Sequence, residues 1–512
     1  MLIKHLKKKK FMKFSDKIFI LPIIILTTNF IFRILDFSKI LTSFPLDTTN
    51  DLTAYIADIS FFSQYGFFGH VPLWYNGFTL FNIYPPGWVL FTYPWYLISG
   101  NVLISSFISC MLLFFLGFIG TWLIGKELKV SRIKRIALFL FIYANPMMIG
   151  AILKQGRIPS LMALTLLVYL FYLCLYFKER ELNWKAIFLP IVYAGLILTH
   201  QTETVLGAAF LLGLFLVKKK KEKIQLVILM CLSILFSSFW LFHFLQATIE
   251  TGFLKFNFGN WLLDWHSYFW NNLAGVFISH ALFITFFIVY QQKKEKKLLL
   301  FYSPTLVYNF LYLTRLALFI PIIKNIYPDP WQDFLMLNLC IIFITLGYAS
   351  FTKKRKVMLA IGLIIISIAG VGYNIIKTPT MESWNTEDKE AIALIPLLDT
   401  NSHFLMFNEN STHLYSRAIY SYAAIYYNVS SASGWFEVNK EYSYIESLNT
   451  LYKDFYTNTS HCKDLDTFHT DFNMTQVLAN GKYCDAIETC GWTIKAVNGS
   501  SCILSLPLAV QQ

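Results

Sequence analysis

Long apolar runs recur along this chain, separated by short polar or basic breaks, and none continues past residue 376. Eleven segments stand out: Lys17–Leu35, Val102–Ile124, Ile136–Gly150, Pro159–Phe177, Ala186–Thr199, Glu203–Val217, Ile224–His243, Leu273–Tyr290, Leu298–Thr314, Trp331–Ser350 and Val357–Ile376. Each approaches the ~20 residues that cross a bilayer as a helix. Backbone facing lipid must satisfy its own hydrogen bonds, so these segments are expected to be helical. The pattern predicts an all-α polytopic membrane domain over 1–376. A second domain, α+β in character, is expected over 377–512.

The breaks carry orientation. Twenty-eight of the 43 Lys and Arg residues lie in six clusters, at 4–17, 126–135, 178–185, 218–223, 293–297 and 353–356. All six fall on one side if Met1 is cytoplasmic and eleven spans alternate, as the excess of basic residues in cytoplasmic loops requires. The net charge of +13 is then mostly this bias, and nothing resembles a nucleic-acid module. A full crossing by Tyr84–Ile98 would move every later basic cluster outside, so that segment is expected to be interfacial or re-entrant. The first outer loop then spans 36–100. Arg33, Asp36 and Lys39 follow the first apolar run without a small-x-small cleavage site, which favours an uncleaved anchor in the cell membrane.

After residue 376 the balance reverses, with fifteen acidic against eight basic residues. Topology places this domain outside the cytoplasm. All the Asn-x-Ser/Thr acceptors are here, at Asn410, Asn428, Asn458, Asn473 and Asn498, which fits a glycosylated exterior. Cys110, Cys174, Cys231 and Cys340 lie in apolar spans as packing residues. Cys462, Cys484, Cys490 and Cys502 lie in the tail, where an oxidising exterior permits two disulfides. The segments around Asn498-Gly499 alternate like strands of a hairpin, which favours Cys490–Cys502 as one pair. A zinc site is the rival, without paired C-x-x-C spacing to support it.

Candidate chemistry concentrates in loop 36–100. Asp47, Asp51 and Asp58 precede a dense run of Trp, Tyr and Phe broken by Pro72, Gly77, Pro85, Pro86 and Gly87. Aromatic belts mark a membrane–water border, and carboxylates held there are costly unless used. If residues 49–62 are helical, Asp51 and Asp58 share a face with Tyr55 between them. Asp51 reads as a general base or metal ligand, or else as a helix cap; Asp47 reads first as a cap. His70 reads as a contact to phosphate or sugar, or as hydrogen-bonded structure. Tyr84-Pro85-Pro86-Gly87 reads as a rigid turn.

Elsewhere, Arg157 opens a later span, with Lys154 nearby, and invites an anion: a lipid phosphate first, Asp51 or Asp58 otherwise. His200 and Glu203 join two spans at the same border, as a used polar cluster or a solvated turn. Asp264 and His266 lie in a second aromatic outer loop, 244–272, which a surface helix would also explain. Arg315 and Lys324 read as phosphate contacts or snorkelling residues. The absence of P-loop, Rossmann, H-E-x-x-H and G-x-S-x-G motifs argues against ATP-driven transport and serine hydrolysis.

These residues resemble the GT-C superfamily of polytopic glycosyltransferases. They are most similar to the membrane proteins named for a 6-pyruvoyl-tetrahydropterin synthase-related domain, a label that implies no pterin chemistry. That family opens its first outer loop with an acid, matched by Asp51. Its Gly-x-x-Pro-x-Trp stretch, a Gly and a Tyr-Pro-Pro follow, matched by Gly69–Trp74, Gly77 and Tyr84–Pro86. Gly156-Arg157 and Thr199-His200 match two later family motifs, and Gly434 and Gly491-Trp492 match the tail more weakly. Two departures stand out: Ala54 where the family often has His, and Gln332 where it often has Arg.

The resemblance implies sugar transfer from a polyprenyl-phosphate donor to an acceptor outside the cytoplasm, with membrane lipids as neighbours. Asp51 would deprotonate the acceptor or help hold a divalent metal, Mg or Mn, and Asp58 would assist. Arg157, His200 and Arg315 would neutralise the departing lipid phosphate, and His70, Trp74, Tyr84, Glu203, Asp264 and His266 would line the substrate side. The competing readings are a non-catalytic envelope scaffold and a lipid or polysaccharide transporter.

Overall fold

A computed structural model describes residues 14–506 apart from 47–50, 146–147, 150–152, 154–155, 251–261, 264–265, 267–268, 322, 349–350, 379, 382–383, 385, 409–412, 438–439 and 458–460. Asp47, Lys154, Asp264, Asn410 and Asn458 therefore lie outside the described residues.

Every one of the eleven apolar segments is built around a helix. In chain order the membrane part begins with α1 (Ile20–Phe37), α2 (Leu52–Tyr65) and α3 (Gly87–Ser99). It continues with α4 (Val102–Glu127), α5 (Arg132–Tyr143), α6 (Ile158–Lys178), α7 (Phe188–Ile197) and α8 (Gln201–Val217). Then come α9 (Lys220–Glu250), α10 (Phe269–Lys293), α11 (Lys296–Leu313), α12 (Pro328–Ile344) and α13 (Lys353–Lys377). Among the described residues, six helices are long and apolar enough to cross a membrane: Ile20–Leu41, Val102–Glu127, Ile158–Lys178, Lys220–Glu250, Phe269–Lys293 and Lys353–Ile376. The helices in the other five segments are shorter, from 10 residues in α7 to 18 in α11. Helix α3, with 13 residues, reaches about 20 Å, short of a ~30 Å hydrocarbon core.

The loop 36–100 folds on itself. Helix α2 buries ten consecutive residues, Leu52–Phe61. A short antiparallel ribbon follows, β1 (His70–Val71) against β2 (Phe78–Thr79). Helices α1 and α13 meet at their C-terminal ends, where Arg33 Nε donates to Asn374 Oδ1 at 2.7 Å and Nη2 to its carbonyl at 2.8 Å. The loop and the tail thus leave the bundle at one end.

The tail is a mixed α+β unit. Its helices are α14 (Thr386–Leu394), α15 (His413–Tyr427), α16 (Tyr442–Thr457), α17 (His461–Phe472) and α18 (Lys482–Glu488). Its strands are β3 (His403–Phe407), β4 (Ser430–Ser431), β5 (Met474–Asn480), β6 (Thr493–Asn498) and β7 (Ser501–Ser505), in sheet order β4-β3-β5-β7-β6. β4 and β5 flank β3 in parallel, while β7 runs antiparallel to β5 and β6. The β6–β7 hairpin turns at Gly499, as the alternation predicted, in a left-handed conformation (φ 57°).

That hairpin corrects the expected disulfide. Cys502 faces Val497 near the turn, whereas Cys490 precedes Thr493, which faces Ser505 at the open end. The two thiols are at opposite ends and cannot meet. Instead Cys462 pairs with Cys490 and Cys484 with Cys502, at Cα separations of 5.0 and 6.0 Å. Of the acceptor asparagines described, Asn428 and Asn473 are exposed, and Asn498 is half-buried with its amide donating to the Glu390 carbonyl at 3.2 Å.

The tail docks on the loop 36–100 through polar and aromatic contacts. Ser431 N and Oγ donate to the Leu73 carbonyl (2.9 and 3.1 Å), and Lys440 Nζ donates to the Gly77 carbonyl (2.9 Å). Asn76 Nδ2 donates to the Phe472 carbonyl at 2.6 Å, and Trp384 Nε1 to Phe44 at 2.8 Å. Gly434 lies flat against Trp74, where a Cβ would stand 2.7 Å from the indole Cγ.

Candidate functional site

The site forms where α2, the Tyr84 turn, the start of α6 and the α7–α8 junction meet. Asp51 is the residue before α2. Its carbonyl accepts from Ala54 and Tyr55, but its side chain makes no capping bond, so capping does not account for the carboxylate. The chain of Gly156-Arg157 packs directly on this end of α2. Gly156 sits at φ +69°, and a Cβ there would meet Leu52 N at 2.4 Å, so only glycine allows the approach.

One helical turn after Asp51, Tyr55 Oη meets Tyr84 Oη at 2.5 Å. Burial above all, then the neighbouring Asp51, Asp58 and Glu203 carboxyl groups, holds the Tyr84 phenol above its ordinary range. Burial, Tyr84 and Asp51 raise Tyr55 likewise, with Arg157 near enough to oppose them. Both phenols therefore stay neutral hydrogen-bonding groups. Asp58 completes the face. It is 4% exposed, its Oδ1 has no hydrogen-bond partner among the described residues, and burial pushes its carboxyl up to about 8. It is protonated at neutral pH, a role different from that of an ionised base.

The Tyr84-Pro85-Pro86-Gly87 turn docks on the α7–α8 junction. Gly87 N donates to the Leu198 carbonyl at 2.6 Å, and Gln201 Nε2 to Ile83 at 3.4 Å. There His200 pairs through Nδ1 with the buried Glu203, whose Oε2 also accepts from Thr202 Oγ1 at 2.6 Å. On the opposite wall Arg157 forms an ion pair with Asp329, in the first turn of α12. The Asp329 carboxylate also accepts from Asn271 Nδ2, and Gln332 Nε2 holds the Asn271 carbonyl at 2.5 Å. Asp333, one turn further along α12, lies within electrostatic reach of Asp329, Glu203 and Arg157.

The structure thus brings Asp51, Asp58, Tyr84, Arg157, His200 and Glu203 into one polar cluster. It differs from expectation in several places. Arg157 has an internal partner, Asp329, which stands outside the pair of carboxylates considered for it from the sequence. Trp74, expected at a substrate surface, is fully buried between loop and tail, with its ring edge-to-face on Phe61 at 4.8 Å. His70 is exposed and lies over Gly77 at the edge of a ribbon whose Val71 and Phe78 are buried. His266 is exposed, as is Lys324. Arg315 sits beside the cluster, its guanidinium 4.7 Å above the Tyr312 ring, with Asp329 close to the same phenol. Asn271, Asp329 and the tail's Phe436 were not foreseen; the i, i+4 spacing of Asp51 and Tyr55 was a signal for Tyr55.

The family described as "6-pyruvoyl-tetrahydropterin synthase related domain; membrane protein" matches residues 82–375. The chain belongs to this family. In this 6-pyruvoyl-tetrahydropterin synthase-related membrane protein the matched region holds Tyr84, Gly156-Arg157, His200, Glu203 and Asp329; Asp51 precedes it and the tail follows it.

Its fold is that of the GT-C superfamily. ArnT from Cupriavidus metallidurans, bound to undecaprenyl phosphate, has a TM-score of 0.56 at 9% identity, covering 95% of this chain and 98% of that one. The Archaeoglobus fulgidus oligosaccharyltransferase AglB, in complex with an inhibitory peptide and a dolichol-phosphate, gives 0.55 at 10% identity, covering 89% and 69%. Arabinofuranosyltransferase AftD from Mycobacteria gives 0.55 at 12% identity, covering 94% of this chain and 41% of that one. No curated protein sequence matches the chain.

Among the described residues no three His, Cys, Asp or Glu side chains form a metal cluster. Both Asp329 oxygens are engaged by Arg157 and Asn271, and Glu203 is held by His200 and Thr202.

Proposed function

We propose that this protein is a membrane glycosyltransferase that moves a sugar from a polyprenyl-phosphate-linked donor to an acceptor on the extracytoplasmic side. The observation that carries this reading is the clustering of the Asp51 carboxylate, the Arg157 guanidinium and the Tyr55–Tyr84 hydroxyl pair around one end of α2. The GT-C fold and the lipid phosphates bound by two structural neighbours support it.

The residues allow a direct displacement. An acceptor hydroxyl attacks the anomeric carbon as the bond from that carbon to the phosphate oxygen breaks. Asp51 takes the hydroxyl proton, and the lipid phosphate departs with the bonding pair. Arg157, with Arg315 and His200 nearby, balances the charge that develops on the leaving phosphate. A phosphate arriving at Arg157 must share or displace Asp329. Asp58, neutral and buried, contributes hydrogen bonding rather than proton abstraction. The two exposed acceptor asparagines, Asn428 and Asn473, suit glycosylation on the same extracytoplasmic face.

Transfer by the full-length protein in proteoliposomes, from undecaprenyl-phosphate-linked hexoses and pentoses, tests the reading. Asp51→Asn is expected to lower turnover by roughly 10²–10⁴-fold, the usual contribution of a general base. Full activity in this variant removes Asp51 from the mechanism.

A further inference from the structure

Tyr84 carries a hydroxyl into the centre of the cluster, yet it stands in a turn, outside any helix or strand. Its plane is fixed from the other domain. The Phe436 ring lies on Tyr84 at 4.4 Å and 17°, and packs on Tyr55 at 5.0 Å. We propose that Phe436 is a positioning residue of the transferase site, supplied by the C-terminal domain to aim the Tyr55–Tyr84 hydroxyl pair at the reacting groups. The proposal rests on the function proposed above.

Three observations support it. First, Phe436 adopts φ +59°, a left-handed conformation costly for a bulky residue. Such strain persists only where surrounding structure imposes it, and it collects at functional sites. Second, the segment before Phe436 is clamped to the loop that carries Tyr84. Ser431 bonds to Leu73 and Gly434 admits Trp74, while within the tail Tyr444 Oη donates to the Ala432 carbonyl at 2.7 Å and holds the segment's shape. The ring is therefore held against the loop and does not hang from a free strap. Third, the pair has a directional use. When two phenols share one hydrogen bond, one donates to the other and the second keeps a proton to donate elsewhere. Asp51, Asp58 and Glu203 are the carboxyl groups near Tyr84. A fixed donor among them is preorganised, and its value falls quickly when the ring that carries it can swing.

The test uses the full-length protein in proteoliposomes with the same donors. Phe436→Gly removes the ring while relieving the backbone, because glycine adopts this φ freely; it is expected to fold as well as the parent. Its kcat should fall roughly 10- to 100-fold, the scale of a 1 Å misplacement, with the donor KM within about twofold of the parent's. Phe436→Tyr, which restores a ring, should recover most of the turnover. Combining Phe436→Gly with Tyr84→Phe should cost little more than Tyr84→Phe alone, since both act through one hydroxyl. Parental turnover in a folded Phe436→Gly protein, or a loss confined to KM, overturns the proposal and leaves the proposed function standing. An unaltered protein that transfers no sugar from any donor overturns both.

Discussion

Helices α2 and α13 are both rich in apolar residues, yet they live in opposite surroundings. On α13 the apolar side chains face outward, among them Ile361, Ile365, Ile366 and Ile368, while the polar Ser367 and Asn374 are buried. That is the inside-out arrangement of a helix against lipid, where a polar group must find a protein partner. Asn374 finds one in Arg33. Helix α2 has no lipid face over its first ten residues. It is covered by α3, α4 and the tail's α15, and its N-terminal end by Gly156. Apolar residues around α13 answer to the solvent; those around α2 isolate Tyr55 and Asp58 from it and leave Asp51 half-buried at the helix end. The same composition makes an anchor in one place and the wall of a site in the other.

The sharpest way to break this contrast is Gly156→Ala. Its Cβ meets the backbone of Leu52, which cannot rotate away, and φ +69° adds strain. Overpacking and backbone strain together should cost roughly 2–6 kcal/mol, read as a lower midpoint in thermal unfolding, and sugar transfer should fall with it. A variant as stable and active as the parent would show that α2 is not enclosed there.

Much of this was legible in the sequence because it depends on neighbours along the chain. The eleven helical segments follow from apolar run length, α2 from its own pattern, and the β6–β7 hairpin from alternation around Asn498-Gly499. The rest depends on which distant segments touch. The hairpin that made Cys490–Cys502 attractive is what separates them, once Cys502 is placed at the turn end. Asp329 as the partner of Arg157 requires α12 to stand beside the start of α6. Gly434 against Trp74 and Phe436 on Tyr84 require the tail to fold back over a loop some 350 residues earlier. Ala54, a departure from the family pattern, is fully buried in α2.

A second, smaller effect sharpens the comparison through pH. The Asp58 carboxyl is raised by burial to about 8, against about 4 in an unfolded chain. Between those values the folded protein holds a proton that the unfolded chain has released. This group therefore favours folding fully below about pH 4, and stability falls as pH rises, levelling off above about 8. Each unit in the window costs about 1.4 kcal/mol, so pH 5 to 7 costs at most about 3 kcal/mol. Asp58→Asn keeps the shape of the neutral acid and removes the titration. Its stability relative to the parent should rise from pH 5 to pH 7 in parallel denaturation curves. Parallel pH profiles would mean that Asp58 is solvated and α2 is open to water.

The smallest expected effect lies on α13. Gly362 is a helix-interior glycine with nothing within 4 Å of a Cβ built on it. Alanine there meets neither backbone nor side chain and restricts the unfolded chain, so Gly362→Ala should change stability by less than about 1 kcal/mol, toward the stable side. The substitution is chemically the same as at Gly156, one methyl group in place of hydrogen. The difference between the two outcomes measures the surroundings alone. A loss at Gly362 comparable to that at Gly156 would mean that another protein surface covers this face of α13, and the distinction between a lipid-facing anchor and a protein-enclosed site helix would fail.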